Sequence, residues 1–346
     1  MRLQILFLLV ICFVIFLQGC AAEFETHNSW ASDYLAHGNL DEAIVEYSKA
    51  IQLNANYADA HFGLGNALAG KGNLDGAITA YRTAIKLNEN YADAHFGLGN
   101  ALAGKGDLDE AIAEYRTALR LNPNLTGAQS NLGRALYNKG DLVGAIAEYR
   151  AAIRLDPNLA EAHTGLGLAL YFSKGDLDGA TAEYRAAIRL NPNLASAHWG
   201  LGAALVGKGD PEGAITEFNR TIELKRERDA AYYGRAWAEY KKGNFDSAIS
   251  DASKAVELNP NNQHAYGTRG WAKFEKGDTQ GAIEDLKKSV QLNPQSSSAY
   301  FDQGMLHYIA KEYDQAVLAW NKAIEMSPLN KIDLEPWIKK AKGHSE

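Results

Sequence analysis

The chain has 346 residues, of which 46% are hydrophobic and 22% charged; 35 Lys and Arg against 42 Asp and Glu leave a net charge of −7. Such a composition excludes a disordered chain, a collagen-like fibre and a polytopic membrane protein. Neutralising phosphates needs a basic patch, and this acidic chain has no Lys/Arg cluster, so nucleic acid is not an expected partner. Both cysteines, Cys12 and Cys20, fall within the first 20 residues, so the rest of the chain has no disulfide framework and no thiolate metal site.

At the N-terminus, Arg2 is the only charge before Glu23, and Ile5 to Leu17 is an unbroken run of 13 apolar residues. A spanning helix needs ~20 such residues, so the run reads as the core of a signal peptide. It stops at Leu17-Gln18-Gly19-Cys20. This stretch resembles the lipobox of bacterial lipoproteins, with Gln18 where Ala, Ser or Thr is commoner. The resemblance implies that residues 1–19 are removed and that residues 20–23 form a lipidated N-terminus. The Cys20 thiol would carry a diacylglycerol, with a further acyl chain such as palmitate. Two or more chains anchor stably, because each buried CH₂ contributes ~0.8 kcal/mol. Ala21, standing after Cys20 where no Asp is present, implies the outer membrane in a bacterium that has two. A secretory signal cut near Ala21-Ala22 and an uncleaved anchor are the alternative readings of the segment.

The segment Ala58-Asp59-Ala60-His61-Phe62-Gly63-Leu64-Gly65-Asn66-Ala67-Leu68 returns almost unchanged 34 residues later, at Ala92 to Leu102. With Ala58 as position 1, the register marks nine units: 24–57, 58–91, 92–125, 126–159, 160–194, 195–228, 229–262, 263–296 and 297–330. Each unit reads as two helices. In the first, His61, Leu64, Gly65 and Leu68 share one face at i, i+3, i+4, i+7. Gly72 ends it, since glycine accepts the left-handed conformation at a helix C-terminus. Asn73 or Asp75 is placed to cap the second helix, in which Ala77, Tyr81 and Ala84 share a face. Small residues at position 8 (Gly65, Gly99, Gly133, Gly167, Gly202) and position 20 (Ala77, Ala111, Ala145, Ala180, Ala214) let the helices approach, beside an aromatic at position 24 such as Tyr81 or Phe218. Pro123, Pro157, Pro192, Pro260, Pro294 and Pro328 close six units.

A leucine-glycine pair, a turn glycine, then spaced alanine, aromatic, alanine and proline resemble the tetratricopeptide repeat. The resemblance implies an all-α, right-handed superhelical solenoid of nine helix-turn-helix repeats over residues 24–330, with the first helices lining a concave groove. One unit cannot bury its apolar face alone, so neighbours must supply the core. Residues 331–346 fall outside the register. They read as a terminal cap helix opened by Pro336, with Leu334, Trp337, Ile338 and Ala341 on one face. Lys225-Arg226-Glu227-Arg228 replaces a turn, and Arg235-Ala236 and Arg269-Gly270 replace Leu-Gly. This change of style leaves open whether residues 24–228 and 229–346 are two sub-blocks of the one solenoid.

Three stretches, Gly65 to Lys71, Gly99 to Lys105 and Gly202 to Lys208, match GxxxxGK. Glycine stands where a phosphate-binding loop needs Ser or Thr for magnesium, and no strand precedes them, so a nucleotide is not expected. Gly63-Leu64-Gly65 lacks the third glycine of a dinucleotide fingerprint, Leu68 standing there. His27, His61, His95, His163 and His198 recur at position 4. Neighbouring helices lie ~8–10 Å apart, too far for adjacent histidines to share a metal, so these read as half-buried packing residues. No HExxH, GxSxG or CxxC occurs, and neither cofactor nor catalytic residue is expected. Position 5 has no Lys or Arg to clamp a C-terminal carboxylate, and position 6 is mostly glycine rather than an asparagine ladder.

The resemblance assigns positions 2, 5, 9, 12 and 13 to the groove. They hold Phe62, Phe96, Tyr137, Tyr171, Phe172, Trp199, Tyr233, Trp237, Tyr240, Trp271, Phe274, Phe301 and Tyr308, with Asn66 and Asn100 placed to hydrogen-bond an extended peptide. Aromatic residues are the usual anchors of protein contacts. The sequence thus points to a non-catalytic adaptor, tethered by lipid at the cell envelope, that binds a protein or peptide in this groove. A glycan stacked on Trp199, Trp237 and Trp271 is the alternative, ahead of a nucleotide-binding enzyme.

Overall fold

The computed structural model describes residues 23–224 and 229–345. The N-terminal segment read as a signal peptide, with Cys12 and Cys20, lies outside the described residues, as do residues 225–228. The chain falls into two compact units, one ending at Pro157 and the other beginning at Asn158. The first holds α1 (residues 23–36), α2 (Leu40–Leu53), α3 (Ala58–Gly70), α4 (Leu74–Leu87), α5 (Ala92–Lys105), α6 (Leu108–Leu121), α7 (Thr126–Asn138) and α8 (Leu142–Leu155). The second holds α9 (Ala160–Lys174), α10 (Leu177–Leu190), α11 (Ala195–Gly207), α12 (Pro211–Leu224), α13 (Asp229–Lys242), α14 (Phe245–Leu258), α15 (Gln263–Glu275), α16 (Thr279–Leu292), α17 (Ser297–Ile309) and α18 (Tyr313–Met326). A 3₁₀ turn, Pro328–Asn330, then leads into α19 (Lys331–Ser345). No strand occurs among the described residues. Within each unit successive helices pack as antiparallel-type hairpins stacked on their neighbours, an all-α solenoid.

The division falls at 157/158, and α12 packs on α13 as other neighbours do; the change from Leu-Gly to Arg-Ala alters a layer's chemistry without interrupting the stack. Pro336 does not open the last helix but lies inside it. The missing N–H of Pro336 removes one backbone bond in the second turn, and the helix survives because Leu334 and Ala341 are completely buried beside it.

The turn glycine occupies the left-handed region in eight units, from Gly38 at φ 77° to Gly277 at φ 84°. In the ninth, Lys311 adopts it at φ 63°. Asn73, Asp141, Asp176 and Asp278 cap the second helices by accepting from the backbone N–H three residues on. Asp75 instead accepts a hydrogen bond from Lys105 of the following repeat at 2.5 Å.

The aromatic at position 24 is the centre of each layer. Tyr81, Tyr115, Tyr184 and Phe218 are all at most 3% exposed. Tyr81, Tyr184 and Phe218 are each pressed by two glycines, one in the same repeat and one in the next, whereas Tyr115 has Gly99 beside it and Asn131 at position 6 of the next repeat. A Cβ on Gly65 would lie 2.6 Å from Tyr81 and one on Gly97 2.7 Å from the same ring. Gly202 and Gly234 flank Phe218 at 2.9 and 2.7 Å in the same way. In the layers of Tyr81, Tyr184 and Phe218, position 6 is therefore glycine for lack of room. Where position 24 shrinks, position 6 grows: Ala252 precedes Thr268, and Leu286 precedes Asp302, all four buried.

Candidate functional site

In the first unit, the first-helix face carries Phe62 on α3, Phe96 on α5 and Tyr137 on α7. Phe62 lies 5.0 Å from Tyr91 and 6.0 Å from Tyr81, ring to ring, and Phe96 lies 6.1 Å from Tyr115. These rings are half-buried. Asn66 and Asn100 stand on the same face, but their side-chain oxygens are already engaged. Tyr81 donates to Asn66 at 2.7 Å, and Tyr115 donates to Asn100 at 2.9 Å. The Asn131 amide also donates to Asn100 at 2.7 Å. The layer tyrosines thus reach through the stack and orient these amides, a link that spacing alone does not reveal. Burial pushes the phenols of Tyr81 and Tyr115 up to about 12, so they remain donors.

In the second unit the aromatics are more continuous. Tyr171 contacts exposed Phe172 at 5.0 Å. Trp199 on α11 donates its indole N–H to the Ala230 carbonyl at 3.2 Å, so it is fixed against α13. Tyr233 stacks on His264 at 5.3 Å. Trp237 and Tyr240, one turn apart on α13, stack at 5.0 Å with planes 16° apart. Phe301 on α17 meets Trp271 at 4.9 Å and Trp237 at 5.9 Å. Trp237, Tyr240, Phe301 and Phe274 remain half-buried.

Trp271 and Tyr308 require a correction. They are only 1% and 8% exposed and present no surface to a partner. The cover comes from α19. Trp337 packs against Trp271 at 5.4 Å, Tyr308 at 5.4 Å and Phe274 at 6.2 Å. The same helix is pinned at its start by an ion pair, Lys241 to Asp333 at 2.5 Å, between residues 92 apart in sequence. The last helix therefore caps α18 with Leu334 and Ala341 and also fills one end of the aromatic face with Trp337.

Between α13, α15, α17 and α19 a cavity of about 360 Å³ remains, lined by Trp237, Tyr240, Trp271, Phe301 and Trp337 and rimmed by Lys241, Lys242, Glu275 and Asp333. A second hollow of about 450 Å³ is bordered by Asp229, Tyr233, Asn259, Asn262 and His264.

The position 4 histidines have a role not expected from their spacing. His95, His163 and His198 each join a glutamate of the paired helix, Glu114, Glu183 and Glu217, at 2.5–2.6 Å. His27 pairs likewise with Glu46, and Gln129 with Glu148. Later units exchange this pair for Arg235–Asp251 and Arg269–Asp285, each guanidinium binding both carboxylate oxygens at 2.6–2.8 Å. His27, His95, His163 and His198 thus each have their own glutamate, whereas the His61 ring meets the Ala55 carbonyl at 3.0 Å. No group of three or more His, Cys, Asp or Glu that could hold a metal occurs among the described residues. The lysines of the GxxxxGK stretches are likewise committed. Lys71 pairs with Asp41, Lys105 with Asp75 and Lys208 with Asp178, each reaching back one repeat.

Comparison with known families matches this chain to the TPR repeat over residues 31–72, 65–106, 99–140, 133–173 and 170–209, and to the tetratricopeptide repeat over 230–262 and 268–331. The first of these alone spans more than half of the chain, and the chain belongs to the tetratricopeptide-repeat family. Among solved structures it is similar to a tetratricopeptide repeat protein from Parabacteroides merdae, at 21% identity and TM-score 0.57, covering 72% of this chain and 98% of that one. It is also similar to pilF of Pseudomonas aeruginosa, at 21% identity and TM-score 0.55, covering 64% of this chain and 97% of that one. Both share the fold. A comparison with curated protein sequences returns no match. A tetratricopeptide fold points to a protein-interaction adaptor.

Proposed function

We propose that this protein is a non-catalytic adaptor, anchored through lipid on Cys20 at the cell envelope, that holds a protein or peptide partner on the aromatic face of its first helices. The observation that carries the reading is the row Trp199, Tyr233, Trp237 and Phe301, rings on three helices of one unit that remain half-buried. Rigid aromatics that are neither fully packed nor isolated supply most of the energy in protein interfaces. The test is a crosslinked pull-down from native membranes with the full-length bait against Trp199→Ala/Trp237→Ala. Trp271 is left intact, because it is a core residue. A protein recovered by the native bait and lost by the variant supports the adaptor; equal recovery removes this face from the reading. Incorporation of labelled palmitate, abolished by Cys20→Ala, tests the anchor. Sucrose-gradient separation of membranes tests the outer-membrane placement that Ala21 suggests.

The second hollow favours an alternative ligand class. Tyr233 offers a ring face beside the Asn259 and Asn262 amides, the pairing of apolar face and hydrogen-bonding groups that a sugar ring uses. Both amides already donate to Asp229, at 2.8 and 2.9 Å, which places this reading second. Isothermal titration with soluble cell-wall fragments decides it.

A further inference from the structure

The 360 Å³ cavity combines two features that an apolar groove does not need. Its floor and walls are ring faces, with Trp271 buried and Trp237, Tyr240, Phe301 and Trp337 half-buried. Its mouth is charged, and those charges do not cancel. Lys241 is paired with Asp333 at 2.5 Å. Lys242 turns away to Glu212 at 3.3 Å. Glu275, exposed at the rim, has no ion-pair partner among the described residues. One uncompensated carboxylate thus overlooks four half-buried rings, Trp237, Tyr240, Phe301 and Trp337, with buried Trp271 behind them. The field is felt inside: the Tyr240 phenol is held above its ordinary value by burial first, then by the negative charges of Glu275 and Asp333. The chain itself already places a cation on this surface, the Lys241 ammonium lying 6.0 Å from the centre of the Trp237 ring.

We propose that this cavity is a cation cage that receives an organic ammonium, the lysine-type side chain of a peptide partner. Ring quadrupoles attract a cation over their faces, and the attraction strengthens where water is excluded. An inorganic ion would forfeit hydration that ring faces cannot replace. An alkylammonium keeps its stem against the rings and its charge toward Glu275. The proposal rests on the adaptor reading and names the chemistry its partner presents: a basic side chain rather than an acidic or C-terminal carboxylate one.

The test uses the full-length protein in a non-ionic detergent and follows tryptophan emission. The probes are two pairs: acetylcholine with its neutral isostere 3,3-dimethylbutyl acetate, and N-acetyl-lysine methylamide with its Nε-acetylated form. The cage requires that each cationic probe binds saturably and about tenfold more tightly than its neutral counterpart, the factor expected of a partly desolvated cation–ring contact. Glu275→Gln, on an exposed side chain and checked to unfold at the native temperature, must weaken the cationic probes and spare the neutral ones. Equal binding of charged and neutral probes, insensitivity to Glu275→Gln, or no saturable signal up to the solubility limit overturns the cage. The adaptor reading fails separately: a membrane partner recovered equally by native and Glu275→Gln baits keeps the adaptor and removes the cage.

Discussion

The indole N–H of Trp271 donates to one carboxylate oxygen of Asp302 at 2.9 Å, both side chains being buried. The other oxygen receives the Ser289 hydroxyl, and Gly267 leaves the room that the carboxylate fills. Asp302 stands at position 6, where five earlier units carry glycine.

This contact makes the end of the second unit sensitive to pH. Burial pushes the Asp302 carboxyl up to about 7, against the opposing pull of the hydrogen bonds from Ser289 and Trp271. A folded-state value raised above the unfolded one means that the folded chain holds the proton more tightly. The stabilisation is complete below the ordinary value near 4 and is lost as the pH rises through about 7. The upper bound on the loss is about 4 kcal/mol at about 1.4 kcal/mol per pH unit. Thermal unfolding should therefore give a lower midpoint at pH 8 than at pH 5. Asp302→Asn, which keeps an acceptor for Trp271 without a charge, should flatten that difference. A parallel pH profile in the variant would show that Asp302 does not carry it.

The glycine pair around Tyr184, Gly167 and Gly200, predicts a second, local effect. A Cβ on Gly200 would lie 2.3 Å from Tyr184, which is 1% exposed and has nowhere to go. Gly200→Ala should cost about 1–3 kcal/mol through overpacking. Tyr184→Leu in the same chain should recover part of the loss, as the natural sequence does where Leu286 precedes Asp302. A double-mutant cycle by urea unfolding measures the coupling; strictly additive effects would mean that the ring moves aside.

The repeat register, the turn glycines and the small residue at position 8 were legible because each is a property of one helix pair, repeated. What was illegible depends on atoms brought together between elements. The glutamate beside His95 is 19 residues away and is recognisable only once two helices are paired side by side. The glycine at position 6 answers to an aromatic in the preceding repeat, as Gly200 does to Tyr184. The burial of Trp271 depends on Trp337, a residue outside the register. Both GxxxxGK and the histidine ladder looked like chemistry because packing glycines, repeat-to-repeat lysines and helix-pair histidines recur with the fold.

Lys311 predicts a gain. It is the one non-glycine among the described residues with positive φ, at 63°, and it occupies the turn position that is glycine in the other eight units. A side chain in this conformation costs about 1–2 kcal/mol, partly offset by the extra freedom glycine brings to the unfolded chain. Lys311→Gly should raise stability by up to about 1 kcal/mol in urea unfolding. An unchanged or lower midpoint would show that Lys311 makes a compensating contact through its side chain.

Trp337 links stability to the candidate site. It is half-buried, yet it touches Trp271, Phe274 and Tyr308 together, so its removal takes away a cover that those rings share. A fully buried tryptophan cut to alanine costs about 3–5 kcal/mol; a half-buried one should cost about half of that. Because α19 is also held by Leu334 and Ala341 against α18, and by the Lys241–Asp333 pair, the helix should remain docked in Trp337→Ala. The change should then appear as solvent reaching Trp271: stronger acrylamide quenching and a red-shifted emission, without loss of far-ultraviolet helicity. Loss of helicity equal to the whole of α19 would instead make Trp337 the helix's principal anchor and would leave the capping contacts of Leu334 and Ala341 secondary. Unchanged quenching would mean that a neighbouring ring, Phe301 or Phe274, swings in to cover Trp271.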